Sequence, residues 1–194
     1  MDIDIDFPDR RAVLDIIKHI PAVINDRTGF KKHNTGVYCH TIPYNPLTET
    51  ASIEYKEAEQ RGYFKIDFLN VSVYKDVKDE AHLVQLMNTE PMWNLLYEKE
   101  VCDQLFHING YHTLLSRAKP RSIAELAMVL ALIRPGKKHL LNKCLEEGFS
   151  SIESEIWLPS NTGYTFKKSH SVGYAHLIVM QLNLLVETLA NECS

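Results

Sequence analysis

The chain opens with a strict alternation of aspartate and apolar residues, and this stretch constrains the fold more than any other. Residues 2–7 run Asp-Ile-Asp-Ile-Asp-Phe, so an extended strand would carry its aspartates on one face and its apolar side chains on the other. Aspartate is a poor strand former, and neighbouring carboxylates on one face repel each other unless a cation lies among them. The pattern therefore predicts a half-buried strand whose polar face can bind a small cation.

An oxygen-only cluster of this kind suits Mg²⁺, which takes one or two protein carboxylates, several waters and substrate phosphates. The alternative is an acidic, frayed chain end that binds nothing, because the first residues of a domain are commonly poorly ordered. Residues 2–7 alone leave both interpretations open.

Composition is that of a globular protein: 194 residues, 45% apolar and 24% charged. No uninterrupted apolar run reaches the roughly 18 residues that span a bilayer, and the acidic start resembles neither a secretory nor a transit signal. The four cysteines contain no Cys-x-x-Cys pair, which favours reduced thiols over a zinc site or a disulfide framework. We therefore expect a cytoplasmic protein without a membrane segment.

Charge is distributed unevenly along the chain. The net charge of −4 argues against a generic nucleic-acid binder, yet residues 1–10 carry four acids against one base. Residues 117–170 carry nine Lys or Arg against five Glu. An acidic site and a basic lobe suit metal-dependent chemistry on a polyphosphate or a nucleic-acid backbone. Solvated helix ends are the alternative explanation of each basic cluster.

Residues 1–75 show mainly strand signals. A helix is predicted from Pro8 to Pro21, a loop over 22–34, extended chain over 36–42 and a turn at 43–46. A short strand is predicted over 52–56 and a stronger one over 63–69, with Lys65 and Asp67 on the same face.

Residues 76–194 show helical patterns. A helix start is predicted at Thr89, and Ser122 with Glu125 forms a capping box before an apolar helix that ends at Pro135-Gly136. Further helices are predicted over 137–147 and 170–191. We expect an α+β fold, with a small mixed sheet over 1–75 and a helical lobe over 76–194.

Several stretches, in the same order along the chain, resemble the C-family replicative DNA polymerases, the family of the bacterial DNA polymerase III alpha subunit. Residues 2–7, followed by Arg10-Arg11, resemble the palm motif Pro-Asp-x-Asp-x-Asp-Phe, with Met1 in place of proline. Residues 31–37 are similar to Gly-Lys-His-x-Gly-Gly-Val. The remaining matches are the third-aspartate strand at 64–69, the start of the fingers at 119–136, and Tyr-Gly-Phe-Asn-Lys-Ser-His-x-x-x-Tyr at 164–174.

The resemblance implies a nucleotidyltransferase-like palm at 1–75 and helical fingers at 76–194, with the last helix packing back on the palm. It also implies two-metal-ion transfer of a dNTP onto the 3′-hydroxyl of primer-template DNA, with two Mg²⁺ ions that Mn²⁺ can replace. The implied catalytic and metal-binding residues are Asp2, Asp4 and Asp67. The implied nucleotide and phosphate contacts are Lys65, Lys168, Ser169, His170, Arg134 and Lys32.

The chain is far shorter than complete members of this family, and it has no counterpart of their Gly-Ser motif or thumb. We therefore expect a minimal or split polymerase that needs a separately encoded fragment or a replication protein, a reduction that suits a compact genome such as that of a phage. The alternative is a non-catalytic module, derived from the polymerase fold, that binds nucleic acid, a nucleotide or replication proteins.

Overall fold

The computed structural model describes residues 2–26, 29–160 and 163–192. As expected, the fold is mixed α+β with a small mixed sheet. The chain forms two compact units, Met1–Asp76 (unit 1) and Val77–Ser194 (unit 2).

Unit 1 is built around one four-stranded sheet in the order β1-β6-β3-β2, beside a two-stranded sheet of β4 and β5. Strand β1 is parallel to β6, and β3 is antiparallel to both β6 and β2. The elements are β1 (Asp2–Phe7), α1 (Arg10–Leu14), β2 (Ile20–Asp26), β3 (Gly29–Tyr38), β4 (Tyr44–Asn45), β5 (Thr50–Ala51), α2 (Tyr55–Gln60) and β6 (Lys65–Asn70).

The alternating pattern forms the predicted strand β1, and the strand predicted over 63–69 is confirmed as β6. The two strands also meet through their apolar face, where the ring centroids of Phe7 and Phe68 lie 5.6 Å apart. Burial on this face decreases toward the chain start, since Ile3 is 40% exposed. A separate small core of unit 1 consists of Ala22, Tyr38, Ile42, Ala51 and Ala58.

Two predictions between β1 and β3 are wrong. The helix ends at Leu14 instead of continuing to Pro21, and Ile16, which the helical pattern counted as apolar-face, is 85% exposed. The predicted loop over 22–34 is instead most of the β2–β3 hairpin. Pro21 is tolerated within β2 because this strand lies at the sheet edge, where a missing backbone N–H costs little.

The strand predicted over 52–56 is also wrong, because helix α2 begins at Tyr55. Glu54 caps this helix, its carboxylate accepting the backbone N–H of Lys56 at 2.8 Å. The turn predicted over 43–46 is misplaced: Tyr44–Asn45 form β4, which pairs with β5, and the turn between them covers 46–49. The extended chain predicted over 36–42 is a strand only as far as Tyr38, where β3 ends.

Unit 2 consists of helices that pack mainly around α6 and α9. Its α-helices are α3 (Glu80–Asn88), α4 (Lys99–Cys102), α5 (His112–Ala118), α6 (Ile123–Leu132), α7 (Leu141–Glu147), α8 (Glu153–Ile156) and α9 (Lys168–Glu192). Short 3₁₀ turns cover Ser72–Asp76 in unit 1, and Trp93–Tyr97, Pro135–Leu140 and Phe149–Ser151 in unit 2.

Local end signals predicted several helix boundaries of unit 2 correctly. The Ser122 hydroxyl accepts the backbone N–H of Glu125 at 3.2 Å, as a capping residue should, and α6 follows. Gly148 closes α7 with φ of 86°, a backbone conformation that favours glycine. Thr89, by contrast, closes α3 instead of starting a helix.

Helix α9 is the one helix among the described residues that is long and apolar enough to cross a membrane, with mean hydropathy 1.3 over its best window. Length and hydropathy do not distinguish a membrane span from a core helix. Here Ala175, Ile178 and Leu182 are fully buried in the core of unit 2, together with Leu126 and Leu130 of α6.

Candidate functional site

The parallel pairing of β1 with β6 brings two of the expected metal-binding aspartates into direct register. Asp4 pairs with Asp67, and Asp2 pairs with Lys65. Paired residues of neighbouring strands share a face, and such strands lie about 4.8 Å apart. The carboxylates of Asp4 and Asp67 therefore lie side by side on one face. The backbone of Asp2 belongs to β1, but its side chain lies outside the described part of the chain.

Asp67 is 8% exposed, and each of its carboxylate oxygens accepts a hydrogen bond. The Thr35 hydroxyl donates to Oδ1 at 2.6 Å, and the Lys65 ammonium donates to Oδ2. Burial acts to raise the pKa of Asp67, but the bonds from Lys65 and Thr35 outweigh it, so the pKa lies below its usual value. Asp67 is thus held as an ionised carboxylate with a fixed orientation.

The side chain of Lys65 reaches this carboxylate by running directly over the backbone of Gly36, where a larger residue would clash with it. The side chain is 6% exposed and crosses the backbone of Gly36, which pairs with Asp67 from β3. A Cβ atom at position 36 would lie 2.4 Å from Lys65 Cδ. The ammonium also lies 5.8 Å from the ring centroid of Tyr55 on α2, a cation–π distance.

His33 shapes the turn that carries Thr35 to the site. Its Nδ1 accepts the backbone N–H of Gly36 at 2.9 Å. The same Nδ1 atom lies 3.7 Å from Asp67 Oδ1, so His33 also borders the carboxylate.

Asp6, the third aspartate of β1, has a different environment. The Tyr74 hydroxyl donates to Asp6 Oδ2 at 3.5 Å. Desolvation raises the pKa of Asp6, the Tyr74 bond opposes the rise, and the charge of Asp4 adds to it. Asp6 is therefore repelled by the charge of Asp4, and its described contacts do not include Lys65, which neutralises Asp67.

The described residues contain no group of three His, Cys, Asp or Glu side chains already gathered as a metal site. Asp4 and Asp67 nevertheless supply the carboxylate oxygens that Mg²⁺ prefers, and Mg²⁺ needs only one or two of them. A carboxylate offers about four lone-pair positions, so Asp67 can keep its bond from Thr35 and still bind a cation. The pair fits one divalent cation, while a second cation depends on Asp2.

Of the expected phosphate-binding residues, Lys32 lies exposed on β3 of unit 1. Lys168, Ser169 and His170 form the first turn of α9 in unit 2, where backbone N–H groups have no partner within the helix. Lys168 and Ser169 are exposed, and His170 is partly buried.

Arg134 of unit 2 is a partly buried cation that stacks on an aromatic ring. Its guanidinium carbon lies 3.8 Å from the ring centroid of Phe166, and its Nε and Nη2 atoms are buried without a hydrogen-bond partner in the described structure. The buried Nε2 of His107 also has no partner. Burial, followed by the charge of Arg134, lowers the pKa of His107 to about 4. This region favours an anion.

Several of these residues were not identified from the sequence. The stretch 31–37 was matched as a whole, but the separate roles of His33, Thr35 and Gly36 depend on the register of β3 with β6. Tyr55 was assigned to a strand. His107 carries no recognisable motif in the sequence, because its environment depends on Arg134, which lies 27 positions away along the chain.

Comparison of the chain with models of protein families, with curated proteins and with solved structures gives no match.

Proposed function

We propose that this chain is a reduced, C-family-like DNA polymerase that transfers a dNTP onto a primer 3′-hydroxyl, in the cytoplasm and together with a partner polypeptide. Unit 1 would be its nucleotidyltransferase-like palm and unit 2 its fingers. The observation that carries the proposal is the direct pairing of Asp4 with Asp67 on adjacent parallel strands. These are two of the aspartates that the family motifs assign to metal binding.

Asp4 and Asp67 would hold the cation, and Asp2 would contribute to the second. Such a cation would supply activation of the primer hydroxyl and charge stabilisation for the leaving pyrophosphate. The protein's own contribution is orientation. Thr35 fixes one oxygen of Asp67, and His33 holds the turn from which Thr35 donates. Such positioning matters because misplaced reacting groups forfeit much of the rate enhancement.

Unit 2 would bind the triphosphate. The Nε and Nη2 atoms of Arg134 have no partner among the described residues, and an arginine fork pairs well with phosphate oxygens. Lys168, Ser169 and His170 stand at the start of the 25-residue helix α9, whose N-terminal backbone groups favour anions. Lys32 of unit 1 is a further exposed cation on β3.

Primer extension tests this function. The full chain, with and without the product of a neighbouring gene, is incubated with primer-template DNA, dNTPs and Mg²⁺ or Mn²⁺. We expect extension that Asp4→Asn and Asp67→Asn both abolish, because each removes a metal-binding carboxylate. Asp15→Asn, an exposed aspartate of the same unit, is the matched control and should retain activity.

A non-catalytic binding module is the second candidate. It is favoured by the neutralisation of Asp67 through Lys65, since a structural ion pair needs no metal. This candidate predicts that primer-template DNA or a nucleotide binds equally well to the wild type and to Asp67→Asn, with no extension under any metal. That result would replace the polymerase proposal.

A further inference from the structure

The Lys65 ammonium bonds to Oδ2 of Asp67, one of the two oxygens that Asp67 could offer to a metal ion. We propose that Lys65 is an internal counter-ion that a divalent cation must displace from Asp67, so that Lys65 sets the cation affinity of the site. This inference rests on the proposed function only in assuming that Asp4 and Asp67 hold a divalent cation.

Burial supports the counter-ion role. Lys65 is 6% exposed and Asp67 is 8% exposed, so each charge would be costly without the other. The Lys65 ammonium bonds to Asp67 Oδ2, whereas Thr35 bonds to the other oxygen. A cation that binds beside Asp4 therefore meets an Asp67 carboxylate that Lys65 already neutralises. Its binding free energy is weakened by the loss of the Lys65–Asp67 bond.

The structure also offers the displaced ammonium another favourable position. Lys65 Nζ lies 5.8 Å from the ring centroid of Tyr55, and a ring face attracts a cation. The stem of the lysine packs against the backbone of Gly36, where an added Cβ atom would lie 2.9 Å from Lys65 Cγ and still closer to Cδ. The Lys65 ammonium can thus move from Asp67 toward Tyr55 while the aliphatic part of the side chain stays packed over Gly36.

This role differs from the phosphate contact that the family resemblance implies for Lys65. A phosphate-binding lysine presents its ammonium to the ligand, whereas this ammonium is buried on a carboxylate of its own strand. Exchange of the lysine for a cation would also couple metal binding to a change in the position of the Lys65 head group.

Manganese binding, measured by electron paramagnetic resonance of free Mn²⁺ in solutions of the full chain, tests the inference. We expect Lys65→Met to bind Mn²⁺ at least about tenfold more tightly than the wild type, because Asp67 then carries an uncompensated charge. Lys65→Arg, which keeps the cation, is the matched control and should bind no more tightly than the wild type.

A second variant covers the case in which Lys65→Met does not fold. Gly36→Ala keeps the lysine and its charge but obstructs its path to Asp67. We expect this variant also to bind Mn²⁺ more tightly than the wild type. Both substitutions are checked by circular dichroism before titration.

The outcomes separate the two claims. Equal affinity in the wild type, Lys65→Met and Gly36→Ala, with binding abolished by Asp67→Asn, would overturn the counter-ion role and leave the metal site intact. Binding that does not depend on Asp4 or Asp67 in any variant would overturn both. Tighter binding in Lys65→Met or Gly36→Ala that Asp67→Asn abolishes would support both.

Discussion

Two cationic side chains of the chain, Lys65 and Arg134, differ in how their charge is compensated. Lys65 of unit 1 is paired with Asp67, and each oxygen of that carboxylate accepts one hydrogen bond, from Lys65 or from Thr35. Arg134 of unit 2 stacks on Phe166, and its Nε and Nη2 atoms have no hydrogen-bond partner in the described structure.

The contrast separates a charge that stabilises the fold from one that is available to a ligand. A buried ion pair is neutral as a unit, so a ligand gains from it only by replacing one member. A buried guanidinium with unsatisfied N–H groups lacks that compensation and gains directly from an anion. Unit 1 is therefore expected to respond to cations by exchange, and unit 2 to anions by addition.

The largest effect should follow from breaking the pair in unit 1. Asp67→Ala leaves the Lys65 ammonium buried without its carboxylate, which costs about 3–5 kcal/mol. We expect faster amide hydrogen exchange in peptides from β3 and β6. Asp15→Ala is the surface control. Unchanged exchange in β6 would show that Lys65 simply turns to solvent and that the pair is not structural.

Unit 2 should respond most to the loss of apolar volume. Leu130 of α6 is fully buried in the core that α6 forms with α9, so Leu130→Ala should lower the free energy of unfolding by about 2–5 kcal/mol. Both tryptophans of the chain, Trp93 and Trp157, lie in unit 2 and report its denaturation by fluorescence. Leu158→Ala is the matched control at a 57% exposed leucine, and a loss of similar size there would contradict the assigned core.

Acid should affect the two regions in different pH ranges. The pKa of His107 is about 4 when folded against an ordinary 6.5, so the unfolded chain binds more protons between these values. Stability of unit 2 should therefore fall by up to about 3 kcal/mol as the pH drops from 6.5 to 4.

Asp67 contributes to the pH dependence of stability in a lower pH range than His107. Its folded pKa is depressed below 3.8, so its contribution is present above that pH and is lost only as the pH falls further. His107→Asn, which tolerates the backbone φ of 61° at this position, should remove the fall between pH 6.5 and 4 in tryptophan-monitored denaturation. Persistence of the fall in this variant would exclude His107 as its source.

The smallest effect should come from adding an anion to Arg134. Inorganic triphosphate at ten times its dissociation constant would stabilise unit 2 by about 1.4 kcal/mol. We expect the melting temperature of the wild type to rise with triphosphate and that of Arg134→Met not to rise. An equal rise in both proteins would place the anion elsewhere, and Lys143→Met is the control for a surface cation.

The sequence predicted those features that depend on neighbours along the chain. The alternation at residues 2–7 fixed β1, the pattern over 63–69 fixed β6, and Ser122 fixed the start of α6. It did not predict β2 or the first part of β3, because Pro21 is a helix-stop signal and the polar hairpin residues resemble a loop.

The hydrogen-bond partners of Asp67 could not be predicted from neighbouring sequence for a different reason. Thr35 lies 32 positions away and reaches Asp67 only through the pairing of β3 with β6. The same pairing puts Gly36 against the stem of Lys65. Register between distant strands is decided by tertiary packing, so the sequence could suggest Asp4 and Asp67 as metal ligands but not the lysine that neutralises one of them.

The most direct test of the account is anomalous diffraction from crystals of the full chain soaked in Mn²⁺. The account predicts a manganese peak bound by carboxylate oxygens of both Asp4 and Asp67, with the Lys65 ammonium moved off Asp67. A fully soaked crystal with no peak there, and with Lys65 still bonded to Asp67, would contradict it.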